Sequence, residues 1–288
     1  MTLTVLMSIY SKEKPEYFQQ SMESIWDQQT IKPHEIILIE DGELTAQLYI
    51  IIENWEKKLK GVLRRLRINQ NSGLAIALNY GIEYCTGEFI ARMDTDDISA
   101  PDRFKKQIQY LQAHKNIDLV GGCIKEFSCN NNNLFIRRYP TTHNSIFNSI
   151  AKASPFAHPT VMFRKKIFDN GVRYSNKYKT SQDIDLWFRM IKLGYKFANL
   201  SDIIYHLRIT PEFYKRRSRA KALNEFKIYV GGIISIHGFS WKLMYPFIRL
   251  FIRFLPAFLL KYIYYSPIRK SLNVGTVNAH DTVPPGGW

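Results

Sequence analysis

Three carboxylates stand close together in the stretch FIARMDTDDISAPDRF, which begins at Phe89. Asp94, Asp96 and Asp97 follow directly on an apolar run that is typical of a buried strand. Carboxylates this close repel one another, and burial adds to the cost, unless a divalent cation lies between them. Oxygen ligands suit Mn²⁺ or Mg²⁺, which also bind phosphate oxygens. The pattern predicts a metal-diphosphate site, and the alternative is a solvated helix-entry loop capped by Ser99 or Asp97.

A second pair of carboxylates lies in SQDIDLWFRM, residues 181–190. The apolar stripe in this stretch predicts an amphipathic helix that begins near Ser181. Asp183 has the chemistry of a general base, because a partly buried carboxylate with a raised pKa can accept a proton from a hydroxyl. The pattern alone favours a helix N-cap for Asp183, since Ser181-Gln182-Asp183 precedes an apolar stripe. Asp185 lies two positions on, about 200° around a helix, and is the second candidate.

The elements that would position these residues alternate between strand and helix. The predicted strands are 3–9, 35–39, 62–68, 88–93 and 117–120, and the predicted helices are 16–28, 46–60, 74–84 and 101–114. This βαβα order with apolar strands predicts a mostly parallel sheet with helices on both faces. Ligands of such sheets bind at the carboxyl ends of the strands, so the polar residues there are expected to converge on one rim.

Composition narrows the class of protein. The 288 residues carry a formal net charge of +15 and are 45% hydrophobic, which indicates a folded core and an anionic partner. The three cysteines include no CxxC pair, which argues against a zinc site or a disulfide framework and suits a reducing compartment. The start, TLTVLMSIY, is interpreted as a strand and not a signal peptide.

Six stretches, in order and spacing, resemble family 2 of the inverting glycosyltransferases, which have the GT-A fold. They are LMSIYS at 6–11, IEDG at 39–42, NSGLAIALNYGI at 71–82, GEFIARMDTDDISAPDRF at 87–104, HPTVMFRK at 158–165 and SQDIDLWFRM at 181–190. The resemblance is nearest to bacterial enzymes that extend lipid-linked O-antigen or related surface polysaccharides. It implies a Rossmann-like, mostly parallel α/β sheet over residues 1–215, with a nucleotide-sugar half (1–121) and an acceptor half (122–215).

The resemblance also implies roles for individual residues. The UDP-sugar ligands would be Ser8, Tyr10, Asp41, Asn71, Asp94 and Asp96, and the ligands of Mn²⁺ or Mg²⁺ would be Asp96 and Asp94. Asp97 would support the carboxylates of Asp94 and Asp96 without binding the metal itself. Asp183 would be the catalytic base, and His158, Asp185 and Trp187 are further candidates around the acceptor. A structural turn for His158 and a core position for Trp187 are the alternatives.

Two departures from the family pattern affect the roles that the resemblance implies for these residues. Gln182 stands where the family often has Glu, so one acidic contact is missing. The family often has a late Tyr-Arg-x-His stretch near the metal, whereas this chain reads IIYHLRIT. His206 and Arg208 are therefore displaced relative to the pattern, and a structural role for His206 is the alternative.

The resemblance points to a substrate class but does not fix the sugar. The implied donor is a UDP-hexose, with UDP-Glc or UDP-Gal favoured. The implied acceptor is a GlcNAc- or GalNAc-diphosphate-polyprenol, and the implied product is a β-linkage, with 1→3 favoured. These expectations place the protein in the bacterial cytoplasm, peripheral on the cytoplasmic face of the inner membrane.

The chain changes character after Glu225. Residues 226–280 contain no Asp or Glu. Lysines and arginines are interspersed there with apolar and aromatic residues, as in LMYPFIRLFIRFLPAFLLKYIYY. Pro246 and Pro256 are expected to interrupt a single straight helix. We interpret residues 216–272 as a basic aromatic helical extension that lies in the membrane interface. A helical pair packed on the catalytic domain, or at a homodimer interface, is the alternative, and residues 273–288 are predicted to be a disordered end.

Two other functions compete with glycosyl transfer. A nucleotidyltransferase that makes sugar nucleotides would share the α/β sheet and metal carboxylates, but SIYSKEKPEYF lacks the glycine-rich loop that binds a triphosphate. A non-enzymatic protein that binds nucleic acid or membrane is suggested by charge alone. The longest stretch without acidic residues is apolar and C-terminal, whereas a nucleic-acid-binding surface is a row of basic residues with stacking aromatic rings. No nucleic-acid partner is therefore expected.

Overall fold

The computed structural model describes residues 1–128, 135–178, 180–210, 219–254 and 276–278. The strands are β1 (Leu3–Ile9), β2 (Glu35–Asp41), β3 (Leu63–Ile68), β4 (Phe89–Met93), β5 (Ile98–Ser99), β6 (Leu119–Phe127), β7 (Phe135–Arg137), β8 (Met162–Arg164), β9 (Phe197–Arg208) and β10 (Thr276–Asn278). The helices are α1 (Pro15–Ile25), α2 (Ala46–Lys58), α3 (Leu74–Ile82), α4 (Arg103–Ala113), α5 (His143–Ser149), α6 (Lys166–Asp169), α7 (Gln182–Lys192), α8 (Arg219–His237) and α9 (Met244–Phe254). Short 3₁₀ turns cover His158–Thr160 and Trp241–Leu243.

The described strands form one ten-stranded sheet in the order β10-β7-β6-β8-β4-β1-β2-β3, with β9 paired to β6 and β5. Strands β3, β2, β1 and β4 are parallel, which confirms the predicted α/β class for the first half. Strand β8 is antiparallel to both β4 and β6, so the second half of the sheet is mixed.

Two hydrophobic clusters cover the two faces of the sheet. Leu6 and Ile90 belong to the cluster under α3 and α7, whereas Val5 and Ala91 belong to the cluster under α1, α2 and α4. Alternate residues of a strand point to opposite faces, so strands buried on both sides read as continuous apolar runs. Helix α3 lies so close to the sheet that a Cβ on Gly81 would come within 2.5 Å of an Ile39 side-chain carbon.

Helix α8 packs on the catalytic fold. Ile228, Tyr229 and Ile233 belong to the same core cluster as α7. A Cβ on Gly232 would lie 2.3 Å from the Phe188 ring, so the two helices meet at the closest distance that glycine permits. For α8, the structure therefore agrees with packing on the catalytic domain, which was the alternative to a helix in the membrane interface. The predicted boundary near residue 215 lies outside the described residues.

Helix α9 presents an apolar face to solvent. Met244, Phe247, Ile248 and Phe251 recur at helical spacing and are 38–69% exposed. Pro246 lies in the first turn, where its missing N–H costs no helical hydrogen bond, so it starts this helix and does not break it. In the part of the chain described, no helix is both long enough and apolar enough to cross a membrane.

Part of the end that was predicted to be disordered is a strand. Residues 276–278 form β10, which is antiparallel to β7. An edge strand such as β7 offers unpaired backbone groups, and these attract an extended segment. The rest of 273–288, together with Pro256 and most of the basic extension beyond α9, falls outside the described ranges.

Candidate active site

The acidic loop, Asp94–Asp97, follows the carboxyl end of β4. One carboxylate oxygen from each of Asp94, Asp96 and Asp97 lies within 4.8 Å of the others. Burial, with the charges of Asp94 and Glu13, raises the pKa of Asp96 to about 7. Burial and the neighbouring carboxylates also raise the pKa of Asp97, which is 1% exposed. A divalent cation between these groups would relieve the repulsion, so the residues fit the predicted metal.

Neighbouring elements hold this loop largely through its backbone. Arg208 of β9 is 6% exposed and donates from Nε to the Asp96 carbonyl at 2.7 Å. Its backbone N–H donates to Asp97 Oδ1, also at 2.7 Å. Ser21 of α1 donates to the Asp94 carbonyl at 3.0 Å. Helix α1 and strand β9 thus fix the loop from two sides.

The end of β2 is tied to the start of α3. The backbone N–H groups of Ser72 and Gly73 donate to the two carboxylate oxygens of Asp41 at 2.7 and 2.9 Å. Asn71 Nδ2 donates to the Asp41 carbonyl at 3.2 Å. Gly42 has a φ of +88°, and a Cβ there would lie 2.8 Å from the Asn71 nitrogen. Asp41 therefore anchors the segment that carries Asn71 against the sheet rim.

The end of β1 brings a fourth carboxylate to the acidic loop. Ser8 is the second-last residue of β1 and is partly buried. Tyr10 follows the end of the strand and is 36% exposed. In the same loop, Glu13 Oε2 accepts a hydrogen bond from Thr95 Oγ1 at 2.5 Å. Burial, together with the charge of Asp94, raises the pKa of Glu13. The structure thus brings the ends of β1, β2 and β4 together as predicted, and adds Glu13.

Asp183 lies in the first turn of α7, directly after a strained residue. Ser181 has a φ of 63°, the only positive value for a non-glycine residue in the described part of the chain. Such strain is kept where the surrounding structure over-determines the backbone, often at functional sites. Burial raises the pKa of Asp183, while the backbone N–H of Ile184 and the charge of Arg92 oppose that rise. A partly exposed carboxylate in this state can accept a proton.

The three lesser acceptor candidates have structural partners. His158 Nε2 lies 2.8 Å from the hydroxyl of Tyr174, and burial lowers the His158 pKa. Trp187 is 0% exposed and packs among aromatic rings, so it occupies the core position and offers no open face to a sugar. Asp185 Oδ2 accepts from Arg189 Nε at 2.7 Å, one helical turn away.

Three functional candidates were missed or left open by sequence reasoning. Arg92 was visible, because it is a charge inside an otherwise apolar strand, and it forms an ion pair with Asp94. Glu13 carries no local signal, since only the fold brings it to Thr95. Arg208 and His206 were left open because they are displaced from the family pattern. Arg208 contacts the acidic loop, whereas His206 pairs in the sheet with Ile98 of β5.

An α/β sheet with this acidic rim, and with a partly buried carboxylate on a neighbouring helix, defines a glycosyltransferase with a GT-A-like fold. Comparison with known families agrees. Residues 4–172 match the model of Glycosyl transferase family 2, which is more than half of the chain. The chain therefore belongs to glycosyl transferase family 2.

Curated relatives extend over nearly the whole chain. The amylovoran biosynthesis glycosyltransferase AmsE of Erwinia amylovora is 35% identical over 264 residues, covering 91% of this chain and 97% of that protein. An Escherichia coli relative named UDP-Gal:alpha-D-GlcNAc-diphosphoundecaprenol beta-1,3-galactosyltransferase is 30% identical, covering 93% of this chain and 97% of that one. The chain is thus similar to bacterial glycosyltransferases of amylovoran and lipid-linked saccharide synthesis.

Solved structures share the fold. The mannosyltransferase PcManGT of Pyrobaculum calidifontis, in complex with GDP-Man and Mn²⁺, has a TM-score of 0.64 at 15% identity. It matches 94% of this chain and 82% of its own. S. aureus TarS 1-349 in complex with UDP has a TM-score of 0.60 at 19% identity, over 93% of this chain and 73% of that one. These identities support the fold alone.

Proposed function

We propose that this protein is a metal-dependent inverting glycosyltransferase that moves a hexose from a UDP-sugar to a lipid-linked saccharide. The feature that carries the proposal is the acidic cluster, in which three carboxylates lie within 4.8 Å at the rim of the sheet. So much like charge is unfavourable without a cation, and the cluster follows the strand end where nucleotides bind in open α/β sheets.

On the donor side, each rim residue has a distinct part. Asp96 and Asp94 would hold Mn²⁺ or Mg²⁺, and Asp97 would support these two carboxylates from the interior. When bound there, the ion would act as a Lewis acid toward the negative charge of the UDP leaving group. Ser8, Tyr10, Asp41 and Asn71 hold the nucleoside at the ends of β1 and β2. A cluster fixed by its backbone favours this role, because the loop need not reorganise when charge develops.

On the acceptor side, Asp183 is the general base. Its carboxylate takes the proton of an acceptor hydroxyl while that oxygen forms a bond to C1 of the donor sugar. The bond from C1 to the UDP oxygen breaks on the opposite face, so one displacement inverts the anomeric centre. An α-linked donor then gives a β-glycoside. The raised pKa of Asp183 suits this step, since the carboxylate must hold the proton that it receives.

The names of the relatives support a substrate class. The E. coli relative, by its name, uses UDP-Gal and GlcNAc-diphosphoundecaprenol to make a β-1,3 bond. We infer UDP-Gal or UDP-Glc as donor and a GlcNAc- or GalNAc-diphosphate-polyprenol as acceptor, with a β1,3 product. The product would be part of a repeat unit of O-antigen or a related polysaccharide.

The C-terminal surface suits an acceptor that is held in a membrane. Phe239, Trp241 and Phe251 are 90%, 66% and 69% exposed, an arrangement that favours insertion among lipid chains. The basic residue Arg249 of this extension, however, does not face outward. Arg249 lies over the Tyr229 ring and donates to the Lys152 carbonyl, so it turns toward the protein. We infer peripheral attachment to the cytoplasmic face of the inner membrane, driven in this part of the chain mainly by apolar side chains.

A donor screen tests the proposal. Purified protein, Mn²⁺ and a synthetic GlcNAc- or GalNAc-diphosphate-lipid are incubated with each UDP-hexose, and UDP release and the product linkage are measured. Release of diphosphate in place of UDP would support the nucleotidyltransferase alternative. The variant Asp183→Asn is expected to bind UDP normally and to lose transfer by at least about a thousandfold. Asp185→Asn is the matched control, since Asp185 pairs with Arg189; normal turnover by Asp183→Asn would contradict the assignment of the base.

A further inference from the structure

Ser181 begins the helix that carries Asp183 but does not cap it. Serine is favoured at the N-cap position because its side-chain oxygen can accept an N–H of the first turn. Ser181 occupies that position of α7, yet within the described ranges its side chain makes no such bond. The Ser181 hydroxyl instead donates to Glu225 Oε1 of α8 at 3.3 Å. The hydroxyl therefore connects two helices.

Glu225 is a buried carboxylate on the inner face of α8. It is 8% exposed, and burial of an ionisable side chain is costly unless polar partners surround it. Ala222 and Tyr229 lie three residues before it and four residues after it, on the same face of the helix, and both are buried. Packing alone would favour an apolar residue between them. The carboxylate serves polar partners, and Ser181 at the start of α7 is one of them.

The backbone of Ser181 is held in a strained conformation from two sides. Its φ of 63° is one that residues other than glycine adopt only at a cost. Its carbonyl accepts the backbone N–H of Asp185 at 3.4 Å, which closes the first turn of α7. Its side chain is held by Glu225. Together these two contacts set the point and the direction from which α7 starts.

The middle of α7 is held by packing on the same helix, α8. Gly232 of α8 lies against the Phe188 ring, where an added Cβ would come within 2.3 Å. Phe188 also meets the Tyr229 ring edge-on, with 5.8 Å between the ring centroids. Asp183 lies between this packed contact and the hydrogen bond of Ser181. Helix α8 therefore holds α7 on both sides of Asp183.

We propose that Glu225 is a positioning residue for the catalytic base, because by holding Ser181 it fixes the first turn of α7 and thereby the place of the Asp183 carboxylate. This inference rests on the proposed function. A general base must lie within hydrogen-bond reach of the acceptor hydroxyl, and a displacement of about 1 Å can lower the rate by about a hundredfold. Helix α8, which was predicted as part of a C-terminal extension, then completes the active site.

Hydrogen exchange at the start of α7 tests the contact without substrate. The exchange rate of the Asp185 amide, which reports opening of the first turn, is measured by NMR relative to that of the Phe188 amide in the same protein. This ratio is expected to rise about tenfold in Glu225→Ala, because a hydrogen bond that holds the turn is lost. It should stay near the wild-type value in Glu225→Gln, since the glutamine oxygen still accepts from Ser181. An unchanged ratio in Glu225→Ala would overturn the proposal.

Asp118→Ala is the matched control. Asp118 is also a buried carboxylate, at 7% exposure, and it accepts the backbone N–H of Lys196 at 2.9 Å, beyond the other end of α7. This variant removes a carboxylate of similar burial, so the free energy of unfolding is expected to fall while the exchange ratio stays at the wild-type value. An equal rise of the ratio in Asp118→Ala and Glu225→Ala would overturn the proposal, because general loosening would then explain it.

Turnover provides the second readout. With the donor and acceptor found in the screen, Glu225→Ala is expected to lower kcat about tenfold and to leave KM for the UDP-sugar within about twofold, because Asp183 acts on the acceptor. Glu225→Gln and Asp118→Ala should keep most of the wild-type kcat. Equal losses of kcat in Glu225→Gln and Glu225→Ala would overturn the proposal, since the hydrogen bond would then not be the cause.

Ser181→Gly removes the other partner of the same hydrogen bond. Glycine adopts a positive φ without strain, so this variant loses the hydroxyl and keeps the backbone path. It leaves the buried carboxylate in place, and it carries the test if Glu225→Ala does not fold. Adding Ser181→Gly to Glu225→Ala should lower kcat by less than about a further twofold, because both changes remove one contact. Losses that multiply in full would overturn the proposal.

The two readouts separate this inference from the proposed function. If no UDP-sugar supports transfer but the exchange ratio rises in Glu225→Ala, the proposed function fails and the contact that holds the start of α7 stands. If transfer depends on Asp183, and Glu225→Ala changes neither the exchange ratio nor kcat, the positioning role of Glu225 fails alone.

Discussion

The acidic loop and the exposed face of α9 break the ordinary rule of protein folding in opposite ways. In the loop, Asp97 is buried at 1% exposure, and Asp94 and Asp96 are partly buried. On α9 and the turn before it, large apolar side chains face solvent, with Phe251 at 69% exposure. Charged residues are rarely inside and large apolar patches are rarely outside, so both regions lower stability relative to an inverted pattern.

The two regions differ in how they are held. The loop is fixed by hydrogen bonds from α1 and β9, including those from Ser21 and Arg208. On α9, Met244 and Phe251 are more than half exposed, whereas Arg249 and Phe247 contact the Tyr229 and Phe226 rings of α8. The comparison teaches that a rigid site suits a small charged ligand of fixed shape, whereas a loosely specified apolar surface suits a fluid partner such as lipid.

The largest expected effect comes from Asp96→Ala. Removing this carboxylate should weaken Mn²⁺-dependent UDP binding and lower transfer by at least about a hundredfold, because the cation loses a ligand. The free energy of unfolding should stay equal or rise by about 1 kcal/mol, since a repulsive charge is removed from the loop. Calorimetric titration with UDP and urea unfolding measure the two quantities.

Asp102→Ala is the control for that variant. Asp102 is 41% exposed and pairs with Lys106 beyond the loop. UDP binding should be unchanged in this control. A marked loss of stability in Asp96→Ala would contradict the view that the cluster is a strained functional site.

A smaller effect is expected from Arg208→Ala, which removes the side-chain hydrogen bond from β9 to the Asp96 carbonyl and keeps the backbone bond to Asp97. Two charge-assisted hydrogen bonds of a buried side chain are lost, to the Asp96 carbonyl and to Gln20, so the free energy of unfolding should fall by about 3 kcal/mol. Lys58→Ala removes an exposed pair with Asp27 and should cost less than about 0.5 kcal/mol. Equal urea midpoints for the two variants would show that the loop does not depend on Arg208.

The smallest effect is expected on the apolar surface. Replacing Trp241 and Phe251 together by serine should weaken binding to vesicles that contain phosphatidylglycerol by about tenfold, through lost apolar burial in the bilayer. Stability should hardly change, because both side chains are exposed. Ile50→Ser is the control, since Ile50 is 58% exposed on the distant helix α2. Co-sedimentation with vesicles that does not distinguish the double variant from this control would remove α9 from the membrane proposal.

The first half of the fold was predictable because its signals are local. Apolar runs and helical stripes gave strands and helices near their observed bounds, and the topology of parallel strands then gathered Asp41 and the acidic loop on one rim. Residues whose roles depend on distant partners could not be found in this way. Glu13 and Arg208 contact the loop only through the three-dimensional fold.

The second half shows where a local pattern misleads. The antiparallel entry of β8 has no signature in the sequence, because pairing direction depends on the path of the chain. The basic residues of the C-terminal extension were expected to lie in the membrane interface. In the structure Arg249 stacks on Tyr229 instead, since packing against a neighbouring helix decides which side of an amphipathic helix is turned inward.

The close packing of α8 on α7 limits how these two helices can move. Because Gly232 leaves no room for even one methyl group against Phe188, these two helices cannot slide apart without breaking the core. Because α9 in turn packs on α8 through Arg249 and Tyr229, a surface that binds α9 also fixes the orientation of α7, the helix on which Asp183 lies.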